Sequence, residues 1–210
     1  MSNSTARFLT ALLALTLLGP TVFSQVVYFP KLTLESRPDL DNFVTGYYSA
    51  QLKALEEPSL FELAKIPTAQ SYRFLWLRSF DHPIAVRLDI KADGTGVLTT
   101  KMTSQKGGVE PGTLIENNTK PVTAEQTQAF LKKIEQVQFW SLTAETHDPT
   151  EPPGLNQNIA DGADWIIEGV HAGKYHVVKR WSPETGPIRE LGIALVFELA
   201  EMNIPKNEVY

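Results

Sequence analysis

At Ser71 the spacing of apolar residues along this chain switches from a helical period to a period of two, which restricts the fold more than any motif does. Tyr72, Phe74 and Trp76 alternate with Arg73, Leu75 and Leu77, and then Ile84, Val86, Leu88 and Ile90 alternate with Ala85, Arg87, Asp89 and Lys91. Alternation of this kind belongs to strands that bury one face. Asp81-His82-Pro83 and Ala92-Asp93-Gly94 supply turns, Thr95 to Met102 reads as a third strand, and Thr113 to Thr119 as a fourth. The prediction is an antiparallel meander.

Before the switch, Leu40, Phe43, Val44, Tyr47, Tyr48, Leu52 and Leu55 lie on one helical face, with Asp39 and Asp41 in the first turn. That spacing predicts a helix over 38–56, ended by Pro58, a further turn over 59–65 and a hinge near 66–70. Thr123 and Gln126 form a capping box for a helix over 124–138, after which Phe139-Trp140 enters the core. Residues 147–159 carry Pro149, Pro152, Pro153 and Gly154 and read as a surface loop. Two strands, Asp164 to Val170 and Lys174 to Trp181, flank a turn at Ala172-Gly173. A last helix spans 187–202, stops before Pro205 and leaves a loose tail at 206–210. The fold class is therefore α+β, a mostly antiparallel sheet of five to six strands with helices packed on one face, plus an N-terminal helix. The other sheet face is expected to stay wet.

Arg7 precedes an apolar run from Phe8 to Leu18, Gly19-Pro20 breaks it, and Val22-Phe23-Ser24 offers a small residue before Gln25. The run is far below the roughly 18 to 20 apolar residues of a spanning helix, so residues 1–24 read as a cleaved export signal. Residues 25–70 then form a helical N-terminal extension and 71–205 the α+β domain. The expected location is the periplasm or the extracellular space, with a membrane attachment only if the signal is kept.

The full chain has 24 acidic and 19 basic residues, and only Arg7 lies in the first 24, which leaves 18 basic residues against 24 acidic ones. With no basic stripe, nucleic acid is excluded as an expected partner. There is no cysteine, which removes disulfides, thiolate catalysis and zinc-cysteine sites.

His82, His147, His171 and His176 stand near Asp81, Asp148, Asp161, Asp164 and Glu168, yet no pair has the spacing that puts two ligands on one helical turn. Surface histidines are the ordinary reading, and no metal or cofactor is assigned. No Gly-x-Ser-x-Gly occurs either, and Ser182 beside His176 and Asp164 has the look of a strand-end cap. Asn117-Asn118-Thr119 fits a glycosylation acceptor, a triplet common by chance. No catalytic residue is named.

The densest local grouping is Trp165, Glu168, Tyr175, His176, Arg180 and Trp181 on the predicted hairpin. Aromatic and arginine side chains of this kind anchor interfaces. The competing reading buries Trp165 and Trp181 in the core, with Arg180 stacked on Trp165 and Glu168 paired to a lysine. In register, Trp165, Ile167, His176, Val178 and Arg180 share one face, and Ile166, Glu168, Tyr175, Val177 and Lys179 the other.

The run Asp161-Gly162-Ala163-Asp164-Trp165-Ile166-Ile167-Glu168-Gly169-Val170, with Lys174-Tyr175-His176-Val177-Val178-Lys179-Arg180-Trp181-Ser182-Pro183 and Glu190-Leu191-Gly192, resembles an uncharacterised domain of bacterial exported proteins. The resemblance covers about residues 71–203 and implies an envelope or secreted setting without an activity. The expected function is a non-enzymatic binding or interaction module that meets a protein or peptide through Trp165, Glu168, Tyr175, His176 and Arg180. The rival is a small secreted hydrolase using His176 with Glu168 or Asp164.

Overall fold

The computed structural model describes residues 26–35, 37–144 and 161–210. The expected export signal, His147 and nearly all of the proline-rich loop lie outside them. Helix α1 (Pro38–Ala54) and the short α2 (Leu60–Leu63) come first, followed by β1 (Gln70–Arg78), β2 (Ile84–Ile90), β3 (Gly96–Thr103) and β4 (Leu114–Val122). Helix α3 (Ala124–Gln136), β5 (Ala163–His171), β6 (Lys174–Trp181) and α4 (Pro187–Ile193) complete the chain, α4 running on as a π-helical turn over Ala194–Leu199. The protein is α+β, with one antiparallel sheet of six strands in the order β4-β3-β2-β1-β5-β6.

Local chemistry accounts for the boundaries. Thr123 accepts from the backbone of Gln126, whose side chain returns the bond, so the predicted capping box starts α3. Lys91 N donates to Thr95 O across the β2–β3 turn, where Gly94 takes a positive φ of 83°. Ala172 and Gly173 both adopt positive φ, the twist that a two-residue hairpin turn requires, and the register of β5 on β6 follows the expected one.

Strand β1 is central, and only its first residue is not fully buried. Its even residues Tyr72, Phe74 and Trp76 join Ile84, Val86, Leu88, Trp165, Ile167 and Val178 under α3 and α4. Its odd residues Leu75 and Leu77 join Ala85, Ile166 and Val177 under Phe29, Leu34, Tyr48, Leu52 and Leu55, the last three from α1 and its end. The expected wet face is thus a correction: helix α1 lies on it, because its apolar stripe has no other surface to bury against. Water reaches the sheet mainly at β4, where Ile115 to Thr119 are exposed.

The tail departs from expectation too. Tyr210 Oη donates to Asp81 Oδ2 at 3.0 Å and accepts from Phe80 N at 3.2 Å, while the Tyr210 carbonyl oxygen accepts from Trp165 Nε1 at 2.8 Å and Trp76 Nε1 at 3.3 Å. Two buried indole donors need acceptors, and the tail supplies them.

Candidate functional site

The residues singled out on the hairpin divide between the two faces of the sheet. Trp165 is buried under α4, with the Arg189 guanidinium 5.4 Å from its ring centroid, so Arg189 rather than Arg180 stacks there. Arg180 Nη1 and Nη2 instead donate to Thr143 O, both at 3.2 Å. His176 stands edge-on to Phe139 with ring centroids 5.0 Å apart, and burial pushes its imidazole below the ordinary value. Trp181 is 43% exposed and belongs to neither core.

Glu168 and Tyr175 lie on the opposite face. Glu168 is cross-strand from Val177, and His176 from Gly169, so side-chain alternation sets the sheet between His176 and both Glu168 and Asp164. The pairing that a hydrolase would need does not form. Nor do the three described histidines gather with carboxylates. His171 sits opposite Gln70 at the start of β1, while His82 follows the far end of β1 and holds Thr103 O at 2.8 Å through Nδ1. Among the described residues no three His, Asp or Glu groups converge to hold a metal.

What Glu168 and Tyr175 do join is a buried charge ladder. Glu168, Arg73 and Arg87 are direct cross-strand neighbours on β5, β1 and β2. Arg73 Nε donates to Glu168 Oε2 at 2.8 Å, with a second bond from Nη2 to the same oxygen, and Tyr175 Oη donates to Glu168 Oε1 at 2.9 Å. Glu57, in the loop after α1, receives Arg87 Nε at 2.9 Å, Arg73 Nη1 at 3.3 Å and Lys101 Nζ at 3.2 Å. Arg73 also donates to Pro58 O at 2.6 Å and Lys101 to Glu56 O at 2.7 Å, fastening the loop to the sheet. Asp89, bonded to Arg87 and to Ser71, brings the balance to three cations and three carboxylates.

Electrostatics separates the two central acids. Burial alone would raise Glu57, but Arg73, Arg87 and Lys101 outweigh it and hold the carboxyl below its ordinary value. Glu168 has one guanidinium and one phenol, and there burial wins and pushes it up. Tyr175 is pushed well up by burial and by Glu168, so it remains a donor. Both Arg73 and Glu168 have fully buried side chains, which makes the ladder a tie between α1 and the sheet rather than a surface open to substrate. Sequence reading passed over Glu57, Arg73, Arg87 and Lys101. The available signal was a cation on the same side of three successive strands, visible only once the register is fixed.

The accessible feature is the β4 edge. Lys91 N to Thr95 O at 2.8 Å sets the hydrogen-bond phase, and Thr103 N to Pro83 O at 3.3 Å repeats it at the other end of the β2–β3 pair. Odd residues of β3 therefore bond to β2, and the even residues Gly96, Leu98, Thr100 and Met102 bond to β4. Carried through the register from Gly96↔Val122 to Met102↔Glu116, the even residues of β4 bond to β3, and the backbones of Asn117 and Thr119 point outward; a β-bulge at Met102/Thr103 ends this phase before Ile115, and Thr113 O already accepts from Ser104 N. Pro121 stands in the same phase, where its missing N–H costs the sheet nothing. Among the described residues, strand β4 has a neighbouring strand on one side only. Beside it opens a groove of about 350 Å³, lined by Leu98, Thr100, Met102, Asn118, Lys120 and Met202.

By contrast, the β6 edge is partly met by other chain, since Lys179 N donates to Ala144 O at 2.7 Å. Among the described residues no helix is long and apolar enough to cross a membrane. Comparisons of the chain with protein-family models, with curated proteins and with solved structures find no match.

Proposed function

We propose that the protein is an exported, non-enzymatic interaction module that takes up an extended segment of a protein or peptide by strand addition to β4. The observation that carries this reading is the outward backbone donors and acceptors of Asn117 and Thr119, exposed beside the groove lined by Leu98, Met102 and Met202. Strand addition draws affinity from main-chain bonds and selectivity from neighbouring pockets. Export is supported by the composition of residues 1–24, and a mature N-terminus at Gln25, read by mass spectrometry, is the expected product.

Binding of a random pool of extended decapeptides, followed by fluorescence polarisation, tests the edge. Thr119→Pro removes an outward donor without breaking a β3–β4 bond, and is expected to weaken capture about 10-fold or more. Phe43→Ala, on a residue of α1 that is 68% exposed, should leave capture unchanged. Equal capture by the Thr119→Pro protein, with its circular dichroism intact, would refute the edge reading.

A further inference from the structure

Resting on the reading of β4 as a recognition edge, we infer that its partner is a second copy of this chain, joined β4 to β4 about a two-fold axis at Asn118. The inference comes from register and charge. Between Glu116 and Val122 only odd residues of β4 present outward backbone groups, so an antiparallel pairing of two such segments must match odd residues with odd ones. Among such registers, the one centred on Asn118 sets Glu116 opposite Lys120 of the second copy, and by symmetry Lys120 opposite Glu116. Both lie in the non-hydrogen-bonded phase, where facing side chains are closest. Moving the centre to Asn117 puts Glu116 against Asn118, and moving it to Thr119 puts Glu116 against Val122, so both charge pairs are lost.

The other facing pairs are compatible. Asn117 meets Thr119, with each backbone exchanging two hydrogen bonds. Pro121 has no N–H and the bulge interrupts the phase at Ile115, so the new backbone bonds are confined to the Asn117–Thr119 pairs, which keeps the association weak and dependent on concentration. Glu116 has no ion-pair partner among the described residues. Lys120 reaches Glu201 at 3.0 Å, but both side chains are exposed, and such a pair holds a lysine only loosely. The product is a continuous twelve-stranded sheet with isologous symmetry.

Sedimentation of the purified protein from roughly 1 µM to 1 mM tests this, with a rise to twice the chain mass expected at the upper end. Glu116→Lys and Lys120→Glu each place like charges face to face at two sites and should weaken the dimer about 10-fold or more. The double reversal Glu116→Lys with Lys120→Glu restores opposite charges and should return the dissociation constant to within about threefold of the original. A monomer over the whole range, or a double reversal no better than the single changes, overturns the inference. If peptide capture still depends on Thr119 while the chain stays monomeric, the second copy is refuted and the edge reading survives. If Thr119→Pro affects neither, both fall.

Discussion

The two faces of the central strand are built from opposite chemistries. Toward α3 and α4, Phe74, Trp76 and Trp165 form an aromatic cluster, with Trp165 5.0 Å from each of the other two ring centroids. Toward α1, the same strand offers Arg73 between Ser71 and Leu75, and the covering loop answers with Glu57. The first face is held by area and shape, which are non-directional. The second is held by a few bonds of fixed geometry, whose loss leaves charge stranded in a low-dielectric interior. Burial alone therefore does not say how a surface will respond to damage.

Replacing Arg73 should separate the faces most clearly. Arg73→Leu strands the Glu168 carboxylate and weakens the hold on Glu57, so a loss of about 3–5 kcal/mol in urea unfolding is expected. Adding Glu168→Met should recover more than half of it, because an apolar pair in place of a buried ion pair is close to neutral. A loss below about 1 kcal/mol would show that the ladder is not what fastens α1.

On the aromatic face the failure mode is crowding. A Cβ on Gly192 would meet the Trp165 ring at 2.6 Å, so Gly192→Ala should cost about 1–3 kcal/mol despite the better helix propensity of alanine. A more stable Gly192→Ala protein would mean that α4 can shift away from the sheet.

The smallest effect is a change of slope with pH, confined to the charged face. Glu57 has its ordinary value near 4.5 when unfolded and a lower one when folded. Its contribution is therefore complete above 4.5 and is lost as pH falls through the folded value. Glu168 acts in the opposite sense: its raised folded value makes its contribution fall as pH rises through that value. Glu57→Gln removes only the first of these, so below about pH 5 its stability should fall less steeply than that of the unchanged protein. Identical slopes would remove Glu57 from the acid response.

Much of the architecture was legible. The period of two marked β1 and β2, turn signals and strand-forming residues marked the other four strands, and the spans differ from expectation by a few residues at most, since alternation and turn chemistry act locally. The hairpin register was also readable, because Ala172-Gly173 accepts the positive φ values that fix it. The candidate site was not. The hairpin register already set Trp165, His176 and Arg180 on one face and Glu168 and Tyr175 on the other; what no local pattern gave is that Glu168 is buried against Arg73 on the face that α1 covers. In an alternating strand Arg73 reads as a solvent-facing position; its burial depends on α1 and the loop of Glu57 and Pro58 arriving from 15 or more residues upstream.

From sequence alone came the sheet, the helices that cap it, the α+β class and the alternation that assigns each side chain to a face. Tertiary structure alone decided that the second face is sealed, which carboxylate meets which cation, and that β4 is left at the rim. The reason is range: period and turn preference are set by neighbours along the chain, whereas covering a face and matching charges depend on long-range packing that no local pattern encodes.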